Sequence, residues 1–393
     1  MCGGVFLELR KKIALSVFTS IAIILILFIC CSQEVDSNTV TIGVISTTDQ
    51  DYEKYAFLTE LAEEDLNQIC NELNSDVRFS FNVSSGEDNP GRVLEQVMDL
   101  WSNGVYFFVA GGYTSHLTAM YSFVNDNEIM VVSPGSSSIE LELEDYIFRM
   151  SPSDSVYAPI LAHLVYDNGF DIIFVLGRDS FVNNQGASFI SEYEALGGDI
   201  IDVITYDDPN YGYVNALEGI EKVLESLGSN YSNVGIFLVE DTRAGDILQL
   251  SESYTCLSNV TWININAYRY PSLNIVPDSF QVKLLSPYPV PVSSSKTQKI
   301  EEMYENRYTD DFNFDDACVY DSCMLLGLSI IDLDSTDPNF LCDEIVNFSS
   351  YYNGLTGSCR LNTNGDRVDF RMGLFAYGIE ELDWVNVGYY DSR

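Results

Sequence analysis

The stretch "VVSPGSSSIELELEDYIFRMSPSD" (Val131–Asp154) places an apolar strand before a Ser-Pro-Gly-Ser-Ser-Ser turn and a second strand before Ser-Pro-Ser-Asp. It carries no nucleophile beside a base, no metal cluster and no phosphate loop. It does place small hydroxyls and backbone amides directly after a strand. In a doubly wound sheet the carboxyl ends of strands are where ligands bind. Amides opening a helical turn also favour an anion such as a carboxylate.

The sequence around this stretch alternates strand and helix. Before it, "TVTIGVIST" (39–47), "VRFSFNVSS" (77–85) and "VYFFVAGG" (105–112) read as strands, with helical spacing over 52–70, 91–104 and 114–127. After it the pattern starts again. Helical spacing over 157–169, 186–198 and 214–228 separates strands at 171–179, 199–207, 233–241 and 260–267. Such alternation implies a mostly parallel sheet in each half. A strand at 280–288, two helices and terminal hairpins over 354–378 complete the reading. The fold class is α/β, with two doubly wound, Rossmann-like lobes. Residues 40–152 with 271–334 form lobe 1, and 153–270 with 335–393 form lobe 2. Crossings between them are expected near Ser151, Tyr270 and Ser335.

The N-terminus bears on the compartment. Arg10, Lys11 and Lys12 precede the apolar run "IALSVFTSIAIILILFICC" (13–31), which reaches about 28 Å as a helix at ~1.5 Å per residue, close to a bilayer core. Residues 1–31 are therefore a signal peptide or a membrane anchor, and 32–39 a polar tether. The Phe-Ile-Cys-Cys-Ser ending resembles a lipoprotein processing site at Cys30 or Cys31. The alternative is an uncleaved anchor. Either way the remainder lies outside the cytoplasm, and the sequons at Asn82, Asn230, Asn259 and Asn347 become acceptors for glycosylation.

With 46% hydrophobic and 13% aromatic residues, the chain of 393 residues has enough apolar content for two cores. Its formal net charge of −40 repels nucleic acid and anionic lipid, and no nucleic-acid partner is expected. Beyond the N-terminal segment stand Cys70, Cys256, Cys318, Cys323, Cys342 and Cys359. An even count permits disulfides, and sequence does not choose among the pairings. A Cys342–Cys359 bridge is expected if the helix after Cys342 folds back on the strand holding Cys359. The alternative is six free, buried thiols. Without a C-x-x-C pair, and with only His116 and His163, no metal or other cofactor is expected.

Taken together, these pieces resemble the type I periplasmic binding-protein superfamily, and within it the branched-chain amino-acid receptors of ABC transporters most. The pieces are the opening stretch, "TIGVISTTDQDYEKYAFLTELAEEDLN", "GASFISEYEALGGDIIDVITYDD", "DDACVYDSCMLLGLSI" and "NGLTGSCRLNTNGDR", in that order between Val40 and Gly378. The resemblance implies two lobes joined by a three-strand hinge around a cleft that closes on a ligand. It implies that Thr114, Ser115, Gly135, Ser136 and Ser137 hold an α-carboxylate and α-amine, with Tyr52 covering the ligand. Asp154 falls where the family places a hinge acid, or it caps the helix near Tyr157. Phe181 or Asn183 stands where the family has an aromatic in lobe 2. His116 reads as a residue of a helix surface.

This sequence departs from the family after its lobe 2 strands. There Asp241 could meet an ammonium, Arg243 or Arg269 an anion, and Tyr268 the ligand's flank. The chain carries no G-x-S-x-G, H-E-x-x-H or Walker pattern and is not read as an enzyme. The expected function is a membrane-tethered receptor that passes a small polar ligand, an amino acid or relative, to an ABC permease. The alternative is a sensor or surface receptor of the same fold without transport.

Overall fold

The computed structural model describes residues 38–206, 212–228, 233–240, 243–265, 283–378 and 383–391. Its first half is an alternating series of strands and helices. β1 (Thr39–Ser46) is buried along most of its length, as a parallel strand covered on both faces must be. α1 (Tyr52–Leu73) turns Leu58, Ala62, Leu66 and Cys70 onto the sheet at helical spacing. β2 (Arg78–Ser85) follows, then α2 (Pro90–Ser102), whose Asn89 cap accepts from the Gly91 and Arg92 amides. β3 (Phe107–Val109), α3 (Thr114–Asp126), β4 (Met130–Ser133) and β5 (Ile147–Arg149) close the series. The strands pair in parallel in the order β2-β1-β3-β4-β5.

The second half repeats the design. α4 (Asp154–Asp167) leads to β6 (Ile172–Arg178), a π turn (Val182–Gly186), α5 (Ala187–Ala195) and β7 (Asp199–Tyr206). α6 (Gly212–Leu227), β8 (Val234–Val239), α7 (Ala244–Ser251), β9 (Thr261–Ile263) and β10 (Lys283–Pro289) follow. Next come α8 (Ser295–Glu305), α9 (Phe314–Leu333) and α10 (Pro338–Ser349). The two-stranded β11 (Asn353–Gly354) and β12 (Gly357–Ser358) precede β13 (Arg371–Gly378) and β14 (Asp383–Asp391). The second sheet runs β14-β13-β10-β9-β8-β6-β7, parallel except at β13 and β14.

Two lobe boundaries differ from the sequence expectation. Residues 283–289 belong to lobe 2, because β10 pairs with β9 and Leu284 joins that lobe's outer core. Residues 338–349 belong to lobe 1, where α10 packs on α9, α9 packs along α1, and Tyr146 Oη donates to Asn339 Oδ1 at 2.7 Å. The second and third crossings therefore fall after Pro289 and after Gly354, not at Tyr270 and Ser335. Tyr270 itself lies outside the described residues.

The expected disulfide is also corrected. Cys342 and Cys359 are free thiols, like the other cysteines among the described residues. They stand in different surroundings. Cys342 on α10 faces the charges of Asp343 and Asp145, while the Cys359 sulfur lies against Asp321, Thr356 and the Gly357 carbonyl. Burial pushes each thiol up to about 12. Cys30, Cys31 and the apolar run before them lie outside the described residues. Among the described residues, no helix is long and apolar enough to cross a membrane.

The hinge is built on two fully buried arginines. Arg149, at the end of β5, donates from Nε to Asp366 Oδ1 at 2.6 Å and from Nη1 to the Ser138 carbonyl at 2.6 Å. Arg367 donates to the carbonyls of Met150, Thr356, Ser358 and Asp369 at 2.7–3.2 Å, and to Thr356 Oγ1 at 2.7 Å. Buried Asp321 of α9 accepts from the Leu355 amide at 2.8 Å and from the Thr356 amide and hydroxyl at 2.9 and 2.5 Å. Gly354 permits this approach, since a Cβ there would stand 2.2 Å from Asp321 Oδ1. Val290 donates to the Arg371 carbonyl and Val292 to the Leu355 carbonyl, each at 2.9 Å, which brings the remaining crossing alongside.

Removing one partner of a buried ion pair strands the other charge. Asp366→Ala is expected to cost about 3–5 kcal/mol in urea unfolding. A loss below about 1 kcal/mol would show that Arg149 does not depend on this partner.

Candidate functional site

A cleft of about 390 Å³ opens between the lobes, a size suited to a small molecule. Its walls come from the carboxyl ends of strands in both sheets, where parallel topology leaves a crevice. Lobe 1 contributes Thr114 after β3, and Ser137, Ser138 and Glu140 after β4. The first turn of α9 adds Phe314 and Asp315. The first crossing supplies Ser151 and Pro152. Lobe 2 contributes Asp154 and Tyr157 from α4, and Phe181 and Gln185 after β6. Val239 and Glu240 at the end of β8, Ile265 after β9, and Tyr288 and Pro289 of β10 complete that wall.

The lobe 1 wall is a set of hydroxyls held by a tight backbone. Ser133 Oγ donates to the Gly111 carbonyl at 2.8 Å, and the Ser136 amide donates to Ser133 Oγ at 3.4 Å. Ser136 is buried, and its hydroxyl lies 3.1 Å from Thr114 Oγ1. Gly135 is required because a Cβ would come within 2.5 Å of the Gly112 carbonyl. α3 starts at Thr114 with no side-chain cap, so its first amides face the region where a cap would sit. The Asp154 amide donates to the Ser137 carbonyl at 2.8 Å, tying this wall to the hinge.

The lobe 2 wall is acidic and aromatic. Glu240 is buried, and both its oxygens are engaged. Arg178 donates to Oε2 from Nε and pairs with Oε1 through Nη2, each at 3.0 Å, and Tyr206 Oη donates to Oε2 at 2.5 Å. Burial pushes the Tyr206 phenol up, so it stays a donor. The Arg178 guanidinium also lies 4.3 Å from the centre of the Phe181 ring. Gln185, carried on the π turn, donates to Asp154 Oδ1 at 3.3 Å.

Of the residues expected from sequence, Thr114, Ser137, Asp154 and Phe181 line the cleft, with Gly135 and Ser136 shaping it from behind. Asp154 lies in the first turn of α4, and the cap is Ser153, whose hydroxyl accepts from the Ser155 amide. Ser115 is exposed and Tyr52 half-buried, and neither is among the lining residues. His116 is not a surface residue. It is buried, Nε2 has no hydrogen-bond partner among the described residues, and burial lowers its pKa. Arg243 pairs with Asp246 at 2.9 Å rather than reaching the cleft. Asp241, Tyr268 and Arg269 lie outside the described residues.

Sequence reasoning missed Glu240, Gln185, Tyr157, Tyr288 and Asp315. The position after β8 was the right place for an acid, one residue short of Asp241. Gln185 depends on a π turn, which leaves no periodic signal. Among the described residues, no group of histidines, cysteines and acids is arranged to hold a metal.

The region from 59 to 379 matches the family model described as the receptor family ligand binding region. The chain belongs to that family. Its fold is that of type I periplasmic binding proteins, whose branched-chain amino-acid members appear among its structural neighbours. An ABC transporter substrate-binding protein of Desulfitobacterium hafniense, crystallised with leucine, is 20% identical with a TM-score of 0.70, over 89% of this chain and 100% of that one. A solute-binding protein of R. palustris in complex with benzoate is 13% identical with a TM-score of 0.63, over 89% and 96% of the two chains. At these identities both likenesses establish the fold. An uncharacterized protein of Methanocaldococcus jannaschii is 23% identical over 85% of this chain and 84% of its own length.

The first turn of α9 also carries Asp316, which closes a capping box with Asn313. Burial, the largest influence, raises its carboxyl and outweighs the Asn313 amide and Lys54, which lower it, leaving it at about 7. The folded value lies above the ordinary 3.8. This group therefore favours the fold fully at acid pH, and that contribution is lost as pH rises toward and through 7. Asp316→Asn keeps an acceptor for the Asn313 amide. Its melting temperature relative to the parent is expected to rise between pH 5 and pH 8, by the equivalent of a few kcal/mol. A constant difference across that range would mean Asp316 ionises in the fold as it does in water.

Proposed function

We propose that the protein is a membrane-tethered, extracytoplasmic receptor that captures a small polar ligand, an amino acid or a close relative, by closure of its lobes and delivers it to an ABC-type permease. The observation that carries this reading is the cleft itself. It is bounded on one side by the hydroxyls of Thr114, Ser137 and Ser138 and on the other by Asp154 and Glu240. Hydroxyls and helix-start amides suit a carboxylate, and the facing acids suit an ammonium. Leucine and benzoate, the ligands in two structural neighbours, share a carboxylate. The tether is supported by the basic flank Arg10–Lys12 and the apolar run ending at Cys30 and Cys31. The role is one of binding and release, and it requires no bond chemistry in the cleft.

A thermal-shift screen of amino acids, amides and small carboxylates identifies the ligand, since a compound that binds only the folded state raises the melting point. Thr114→Ala and Ser137→Ala are then expected to weaken binding by about 1–3 kcal/mol each. Parent-like affinity in both variants would place the site elsewhere. Small-angle scattering should show a smaller radius of gyration with saturating ligand, and an unchanged radius would argue against closure.

A further inference from the structure

A second cavity, of about 330 Å³, lies behind the hinge. It shares no lining residue with the cleft. Lobe 1 walls it with Val292, Asn353 and Ser358, and lobe 2 with Phe370, Arg371 and Asp391. The segment 367–370 stands between the two spaces. Phe370 stacks on Tyr157, a cleft residue, with ring centroids 6.0 Å apart and planes 6° from parallel. The Arg367 guanidinium lies 5.3 Å from the centre of the Phe314 ring on the cleft side, and it donates to the Thr356 and Ser358 carbonyls on the rear side. The second crossing makes the same passage. Tyr288 and Pro289 line the cleft, and Val292 just beyond them lines the rear cavity.

Both rear walls are stiff. On the lobe 1 side the Thr356 amide donates to Asp321 of α9 at 2.9 Å, and the Val292 amide to the Leu355 carbonyl at 2.9 Å. Val292 also packs on Gly357, where a Cβ would stand 2.9 Å from its Cγ1. On the lobe 2 side Arg371 donates from Nε and Nη2 to Asp391 Oδ1 and Oδ2 at 2.8 and 3.1 Å, which ties β13 to β14. Walls of this kind move with their lobes and do not yield separately. Two bodies joined at a hinge with a space on each side trade one space for the other. Rotation that closes the cleft widens the rear cavity, and rotation that opens the cleft compresses it.

We infer that the rear cavity is a control site for the lobes: bulk placed in it resists opening of the cleft and shifts the chain toward the closed arrangement. This rests on the closure reading above. It adds a place outside the ligand cleft that sets how readily the cleft stays shut.

The test is small-angle scattering of the full-length chain without ligand. Val292→Trp puts an indole into the cavity, Asn353→Trp puts one at its exposed rim, and Val292→Ala enlarges the space. None of these residues lines the cleft. Each Trp variant is expected to show a smaller radius of gyration than the parent, and Val292→Ala a radius equal to or above it. Melting curves establish that each variant folds, and the exposed Asn353 position keeps the test available if Val292→Trp does not. A parental radius in the folded Trp variants overturns the inference. It leaves closure standing where the parent itself contracts with a compound from the thermal-shift screen. A larger radius in the Trp variants also overturns it, since bulk behind the hinge would then favour opening. A parent that contracts with no compound, beside Trp variants of parental radius, overturns the closure reading as well.

Discussion

Two guanidinium groups, on Arg149 and Arg367, lie in the fully buried interior where the chain passes between lobes. A buried cation is tolerable only when most of its donors are met, and here the crossing segments meet all but Arg149 Nη2, which with Asp366 Oδ2 has no hydrogen-bond partner among the described residues. Arg149 takes Asp366 and the Ser138 carbonyl, and Arg367 takes carbonyls on both sides of the hinge. The third crossing cannot move away from the first without exposing or orphaning these groups. The first and third crossings are thereby held side by side by polar contacts. Arg149 also reaches the cleft wall, because the Ser138 carbonyl that it holds belongs to a cleft residue.

Topology sets the rest of the site. Each lobe presents the carboxyl ends of its parallel strands to the other, so the residues just beyond β3, β4, β6 and β8 meet across the gap. Lobe 1 places its cleft-lining groups on a backbone fixed by Gly135 and by hydrogen bonds from Ser133 and Ser136. Lobe 2 places its groups through side-chain pairs, Arg178 with Glu240 and Gln185 with Asp154. One wall is preset by the main chain and the other by longer side chains that can adjust.

The βα alternation was legible in the sequence because each strand is a short apolar run and each helix buries one stripe. The lobe 1 wall of the cleft was legible for a related reason, since a loop that follows a parallel strand has a known place. Thr114 and Ser137 came from that logic and from the family resemblance together, and Asp154 of lobe 2 from the resemblance alone. The boundary at β10 was not legible, because "KLLSPYP" reads as a strand without saying which sheet it joins. Sheet membership is decided by pairing with β9, a contact that sequence spacing does not encode. The Cys342–Cys359 expectation failed for a similar reason. The helix after Cys342 packs on α9 in lobe 1, while Cys359 is drawn under the hinge by Asp321 and Thr356.

A chain with a formal charge of −40 has a general reason not to bind carboxylates, since its long-range field repels them. Binding one requires local groups strong enough to act at short range after water is excluded. Backbone amides at a helix start and aligned hydroxyls meet that need without adding a cation.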